Sequence, residues 1–367
     1  MVRIRFLGIA LCLIGLISCS EPPAWKIGFM ATMSGRGSDV GIDGRDGAIL
    51  AVEDRNRQGG IRGRPMELVP VDLRHNTPDV IKTTQHFRDM GIGLVIGPMT
   101  SAMAVALPQT QGPLFVSPTV TTTQLEGRDD NFIRVISTTR QYAARFARYQ
   151  YQKLGLRRVA AIFDIRNQAY THDWFTHFQA EFTALGGKVI ATHPYRSQPN
   201  VVFHQAVDRL LSHRPDSLMI ISNALDAGMI IQQVRKRDKD LPLCLCEWAS
   251  TNTLLRIAGL NIENVYVTQF MDPFSTNTAF KAFLKRFENR FGRPANFAAL
   301  AAYDACLVAF QALELAQAQR RELKQSLLEQ GTYQGLQQKI NLDTFGDARR
   351  RSFIFKIHHG QYLPQEY

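Results

Sequence analysis

From Trp25 onward, short apolar runs alternate with amphipathic stretches. WKIGFMA reads as a strand, followed by a glycine-rich loop and a helix over 44–57 that stops at Gly59-Gly60. MELVPVD is the next strand, and Thr77 then caps a helix with Pro78 in its first turn and Val80, Thr84 and Phe87 along one face. GLVIG, PLFVS and NFIRVIS read as further strands. A second series follows Arg140, with strands RVAAIFD, KVIATHPY, DSLMIIS and PLCLCE separated by helical stretches, and NVYVTQF after them. Such alternation predicts βαβ units, hence parallel sheets covered by helices on both faces. Two series of about five strands predict two lobes rather than one large sheet. Long helices are expected over 278–291 and 297–319, and SFIFKIHHGQYLP reads as a hairpin turning at His359-Gly360.

Ligands on such sheets bind beyond the carboxyl ends of the strands, and here those ends carry small polar residues. Ser101 follows GLVIG; Ser117, Thr119 and Thr121 follow PLFV. Asp164 ends RVAAIFD with Tyr170 just beyond, Ser222-Asn223 ends DSLMIIS, and Glu247-Trp248 ends PLCLCE. Hydroxyls and the unpaired N–H groups of a helix start suit a carboxylate, whereas a lone carboxylate such as Glu247 suits an ammonium. Together they match a zwitterion. Helix capping by Ser101 and Thr121, an exposed Glu247, and loop packing by Tyr170 and Trp248 are the plainer alternatives for each residue taken singly.

Composition changes the picture at the ends. Arg3 and Arg5 precede an apolar run from Phe6 to Ile17, too short to span a bilayer but suited to the core of a signal peptide. The run ends in Leu16-Ile17-Ser18-Cys19, which resembles the bacterial lipobox; residues 1–18 then form the leader and Cys19 carries the lipid. Ser20 in place of Asp leaves outer-membrane sorting open, and no later segment is expected to span a membrane. The 367 residues carry a net charge of +11, 45% apolar and 20% charged residues, as a globular chain does. Arg235-Lys236-Arg237 and Arg349-Arg350-Arg351 read as solvated surface clusters, so no nucleic-acid partner is expected.

Motifs for chemistry are lacking. Gly35, Gly37 and Gly41 give G-x-G-x-x-x-G, one residue off the dinucleotide fingerprint, so the loop is expected to line a cleft and no cofactor is predicted. No G-x-S-x-G, H-E-x-x-H or Walker sequence occurs. Cys244 and Cys246, two apart on one strand, read as buried thiols, and His358-His359 as exposed turn residues; no metal is predicted.

The series IGFMATMSG, QGGIRGRPMELVPVD, VIGPMTS, LFVSPTVTTTQL and AAYDACLVAFQAL resembles, in order and spacing, the branched-chain amino-acid (Leu/Ile/Val)-binding family, the type I periplasmic solute-binding proteins that serve ABC importers. The resemblance implies an α/β fold of two Rossmann-like lobes joined by a three-stranded hinge. Crossings fall near Thr139, Phe270 and Lys339, giving one lobe of 24–139 plus 271–339 and another of 140–270 plus 340–367. It also implies a monomer in the periplasm, tethered by its lipid, with an ABC permease as partner and no enzymatic activity.

By the same resemblance, Ser101 holds the ligand carboxylate, the Thr119 carbonyl accepts from the ammonium, Thr121 touches both ends, Tyr170 closes over the ligand and Glu247 pairs with the ammonium. Val40 stands where the family carries an aromatic wall, Asn223 where it places a tyrosine, and Trp248 adds bulk, so the solute, an amino acid or amide-like molecule, is not fixed as leucine. Thr100 replaces a cysteine of the family's disulfide. Two other roles use the same fold: a ligand-free lipoprotein that activates cell-wall synthases, and a sensor subunit.

Overall fold

The computed structural model describes residues 23–108 and 112–365. The leader and Cys19 lie outside the described residues. The first series runs β1 (Trp25–Ala31), α1 (Asp39–Arg57), β2 (Met66–Asp72), α2 (Thr77–Asp89), β3 (Leu94–Ile96), α3 (Ser101–Val105), β4 (Leu114–Ser117) and β5 (Phe132–Arg134). The second runs α4 (Thr139–Gln152), β6 (Arg158–Asp164), α5 (Gln168–Ala184), β7 (Lys188–Tyr195), α6 (His204–Ser212), β8 (Ser217–Ile221), α7 (Ala224–Arg235), β9 (Leu243–Leu245), α8 (Asn252–Ala258) and β10 (Val265–Gln269). The chain continues through α9 (Thr278–Phe291), α10 (Phe297–Gln319), α11 (Leu323–Gln330), β11 (Thr332–Gln334), β12 (Lys339–Leu342), β13 (Ala348–Arg349), β14 (Phe353–His358) and β15 (Gln361–Gln365).

The first sheet has strand order β2-β1-β3-β4-β5, all parallel. In the second, β7-β6-β8-β9-β10 repeats that order, and the β14–β15 hairpin adds antiparallel strands beside β10. Reversal of strand order, at β1/β3 and again at β6/β8, leaves a crevice at the strand ends of each sheet. β3, β4, β8, β9 and β10 are buried throughout, as expected of strands covered on both faces.

α10 returns to the first lobe and packs along α1. A Cβ on Gly47 would stand 2.2 Å from the Ala299 carbonyl oxygen, so glycine sets how closely the two helices approach. Contrary to the sequence expectation, α10 is long and apolar enough by composition to cross a bilayer, with a mean hydropathy of 1.4. Its 78% burial makes it the core helix of the lobe instead.

Three passages connect the lobes. The first runs through 135–139, between β5 and α4, and the second passes Phe270 after β10. The third does not fall near Lys339, because β12 pairs with β11 and β13 in a small sheet on the first-lobe side. There the Gly346 carbonyl accepts from the Arg134 N–H at 3.0 Å, and Arg134 pairs with Asp347 at 2.6 Å. The chain re-enters the second sheet only at Phe353, so the passage is 350–352. Ser137 Oγ binds the Arg350 backbone at both N–H (2.8 Å) and carbonyl (3.0 Å), tying the first passage to the third. Gln338 ties the third to the second, donating to the Phe270 carbonyl at 3.1 Å and accepting from the Arg351 N–H at 2.9 Å.

The basic clusters also depart from expectation. Arg350 is buried: its guanidinium pairs with buried Asp304 at 2.8 Å and lies over the Phe270 ring. Arg235 is buried too, donating to the carbonyls of Asn261, Asp238, Leu241 and Glu263. Each cluster therefore contributes one arginine to the interior, Arg235 held by backbone carbonyls and Arg350 by a carboxylate.

Candidate functional site

The loops after β3, β4, β6 and β9 converge between the lobes on one small cavity. From the first lobe come Val40, Met99, Thr100, Ser101, Thr119, Thr121, Ile136 and Phe297; the second lobe supplies Asn167, Tyr170, Glu247 and Trp248. Ser101, Thr119, Thr121, Tyr170, Glu247, Val40 and Trp248, singled out in the sequence, are thus brought to one place.

Neither Ser101 nor Thr121 is spent as a cap. Thr100 is the residue preceding α3, with Ser101 the first helical residue, and the hydroxyl that caps the following 3₁₀ turn is Thr122's. The Thr119 hydroxyl donates to the Met99 carbonyl at 2.6 Å, which leaves the Thr119 backbone carbonyl rather than its side chain to offer a ligand. Thr121 Oγ1 and Trp248 Nε1 are buried without a hydrogen-bond partner, and the Tyr170 hydroxyl and Glu247 Oε1 have none of good geometry, although the hydroxyl lies beside the Glu247 carboxyl. Groups left so in one cavity are costly unless something polar satisfies them.

Glu247 is only 4% exposed. Its Oε2 accepts from Trp174 Nε1 at 3.1 Å, so one oxygen is fixed and the other is turned to the cavity. Burial pushes the carboxyl up to about 7, against the opposing pull of its own backbone N–H and of the neighbouring Tyr170 and Trp174. A positive charge brought to this carboxyl would restore the ionised form. Tyr170 and Trp248 meet edge to face, with centroids 5.8 Å apart, and close the second-lobe side. Val40, Met99, Ile136 and Phe297 form the apolar wall.

Asn223 corrects the sequence expectation. It does not line the cavity: its side chain caps α7, accepting from the Asp226 N–H at 3.0 Å, and donates to Asp226 Oδ2. Asp164 and Ser222, also at strand ends, are similarly occupied, Asp164 by the N–H groups of Arg166 and Ser197 and Ser222 by the Tyr195 hydroxyl. Sequence reasoning missed Asn167, whose Oδ1 crosses the cleft to accept from the Ala102 N–H at 3.0 Å. Its place between a strand end and Tyr170 was the available signal, but an asparagine before a helix usually reads as a cap. Trp174, the orienting donor to Glu247, was hidden because an aromatic on a buried helix face reads as core.

Among the described residues the cysteines Cys244, Cys246 and Cys306 are free and buried. Glu263, just before β10, has its carboxyl within 4.8 Å of ring nitrogens of His358 and His359 at the β14–β15 turn, a mostly exposed group outside the cavity lining.

The whole arrangement is that of a two-lobed receptor for a small solute. The profile of the periplasmic binding protein family matches residues 24–361, and the chain belongs to that family. It is a binding protein and not an enzyme. The chain is 26% identical to the Leu/Ile/Val-binding protein BraC3 of Rhizobium johnstonii, over 57% of each chain, so that match spans little more than half of the relative. It is 21% identical to the leucine-, isoleucine-, valine-, threonine- and alanine-binding protein of Pseudomonas aeruginosa, over 91% of this chain and 90% of that one. A solute-binding protein of an ABC transporter from R. palustris, solved with benzoate, superposes with a TM-score of 0.84 at 19% identity, covering 93% of this chain and 95% of that chain.

Proposed function

We propose that this protein is a lipid-anchored receptor in the periplasm that captures an α-amino acid or an amide-like relative between its lobes and delivers it to an ABC permease. The observation that carries the reading is Glu247, a buried acid with no basic partner among the described residues, in the cavity it lines together with Ser101 and Thr121. The carboxylate of the solute meets Ser101 and Thr121, and its ammonium meets Glu247 and the Thr119 carbonyl. Val40, Met99, Ile136, Phe297 and Trp248 take the side chain. The three passages form the hinge, and solute shifts the lobes toward closure by its higher affinity for the closed form.

An aromatic acid such as the benzoate seen in the R. palustris protein lacks an ammonium and would leave Glu247 buried and unpaired. Thermal unfolding of the chain from Ser20 onward, which retains every described element, separates these cases. The protein is first unfolded, dialysed and refolded, then tested with leucine, isoleucine, valine, threonine, alanine, their deaminated analogues and benzoate. A ligand at about a hundred times its Kd adds about 2.7 kcal/mol. A raised midpoint with an amino acid and none with its deaminated analogue supports the reading; a rise with benzoate alone replaces the amino acid by an aromatic acid. Silence throughout removes the solute-receptor role and favours the ligand-free lipoprotein.

A further inference from the structure

The glycine loop Gly35-Arg36-Gly37 is not part of the cavity lining, yet it makes a buried charged contact between the lobes. Arg36 projects from the loop after β1 and pairs with Asp226 in the first turn of α7, on the opposite lobe. The Arg36 side chain is 15% exposed and that of Asp226 0%. Arg36 Nη2 also lies 3.4 Å from Met229 Sδ. The Arg36 carbonyl is held from both sides: Arg166 of the second lobe donates to it at 2.9 Å, and His75 Nε2 of the first lobe lies at 2.8 Å. Both glycines have left-handed backbones, with φ of 80° and 74°. At Gly37 a Cβ would meet the Asn223 side chain at 3.3 Å, so the loop reaches the α7 terminus only because no side chain intervenes.

We propose that Arg36 is a latch: it docks on Asp226 when the lobes close, and so sets how long the cleft stays shut without contacting the solute. The acceptor is prepared in advance. Asp226 accepts from the Tyr195 hydroxyl at 3.1 Å and Asn223 Nδ2 at 3.0 Å, and it sits at a helix start, where the dipole favours a negative charge. Withdrawal of Arg36 therefore does not strand a bare carboxylate. The desolvation of a buried ion pair offsets much of its attraction, which keeps such a contact reversible. A latch must be reversible, because delivery requires reopening. Pocket residues Thr100, Asn167 and Trp248 also line the small cavity that contains His75 and Arg166, so the latch abuts the solute site.

The test needs no solute, and its outcome is independent of which solute binds. Exposed Lys82 and Lys239, one on each lobe, are replaced by cysteine and spin-labelled in the chain from Ser20 onward, whose other thiols are buried. Distances are read by pulsed electron resonance in the parent, Arg36→Ala, Arg36→Lys and Gly37→Val. The expected result is a dominant short distance in the parent, a longer and broader distribution in Arg36→Ala and Gly37→Val, and partial recovery in Arg36→Lys, with thermal midpoints close to the parent's. Asp226→Asn should reproduce Arg36→Ala, and adding Arg36→Ala to it should change nothing further. A distribution in Arg36→Ala that matches the parent's overturns the latch, as does a parent that is already open.

Discussion

Trp174 and Glu247 share one hydrogen bond, 3.1 Å from the indole Nε1 to Oε2, and it decides which carboxylate oxygen faces the cavity. The indole comes from α5 and the acid from the end of β9, so packing of a helix on its sheet aims the site. Replacing Glu247 by Gln keeps the shape and removes the charge. Losing one partner of a buried charge pair costs on the order of 2–5 kcal/mol in binding. Glu247→Gln should therefore weaken amino-acid binding by at least about thirtyfold, measured by calorimetry. Ligand-free stability should hold or rise, because a buried charge is removed. Equal affinity in parent and variant would remove Glu247 from the ammonium site.

The raised Glu247 carboxyl makes binding pH-dependent with a defined sign. Its folded value is about 7 against an ordinary 4.5. Below about 7 the free protein holds the proton, whereas an ammonium ligand requires the ionised form. Binding should therefore release a proton at pH 6, and affinity should fall by up to tenfold per pH unit as pH drops below 7. Calorimetry in buffers of different ionisation enthalpy counts the proton. For the ligand-free protein the sign is opposite: the raised carboxyl contributes stability fully below about 4.5, and that stability is lost as pH rises through 7. Asp43, also pushed up to about 7 by burial, adds to the same decline, so the Glu247 share is the difference between parent and Glu247→Gln.

The α/β alternation was legible because buried parallel strands leave near-continuous apolar runs, and helices 278–291 and 297–319 were legible as long helical stretches; in the structure each starts at an asparagine whose side chain caps it. Residues at the ends of β3, β4 and β9 were legible because topology sends those ends to one crevice. Asn223 misled because a strand-end asparagine serves equally as a helix cap, and no local pattern says which way the amide turns. The β11–β13 sheet escaped because its strands have four residues or fewer, too short for their alternation to stand out. Arg350 escaped because charge in sequence reads as surface, while its partner Asp304 lies nearly fifty residues away on a helix.

That buried pair carries its own prediction. Arg350 and Asp304 have 0% side-chain exposure each, and Asp304 also accepts from the Leu336 N–H at 2.8 Å. Asp304→Ala leaves a buried guanidinium with little else than the Val135 carbonyl at 3.5 Å. The expected loss is about 3–5 kcal/mol in urea unfolding. A double Asp304→Leu, Arg350→Met replacement should recover most of it. A loss under about 1 kcal/mol in the single variant would mean that the arginine finds water, and that the passage at 350–352 is looser than its hydrogen bonds with Ser137 indicate.

Gly47 on α1 faces the backbone of α10 rather than a side chain, and this distinguishes it from glycines that merely turn the chain. A methyl group there would lie 2.2 Å from the Ala299 carbonyl oxygen and 2.8 Å from its carbon. Backbone within a buried helix cannot swing aside as a side chain does, so the helices must separate. Overpacking of this kind costs about 1–3 kcal/mol, against a small gain in helix propensity from glycine to alanine. Gly47→Ala should therefore lower the thermal midpoint. Phe297 begins α10 and lines the cavity, so the shift should also weaken solute binding without touching any group that contacts the zwitterion. An unchanged midpoint would show that the α1–α10 contact has slack, and the glycine would then be no determinant of the first lobe's packing.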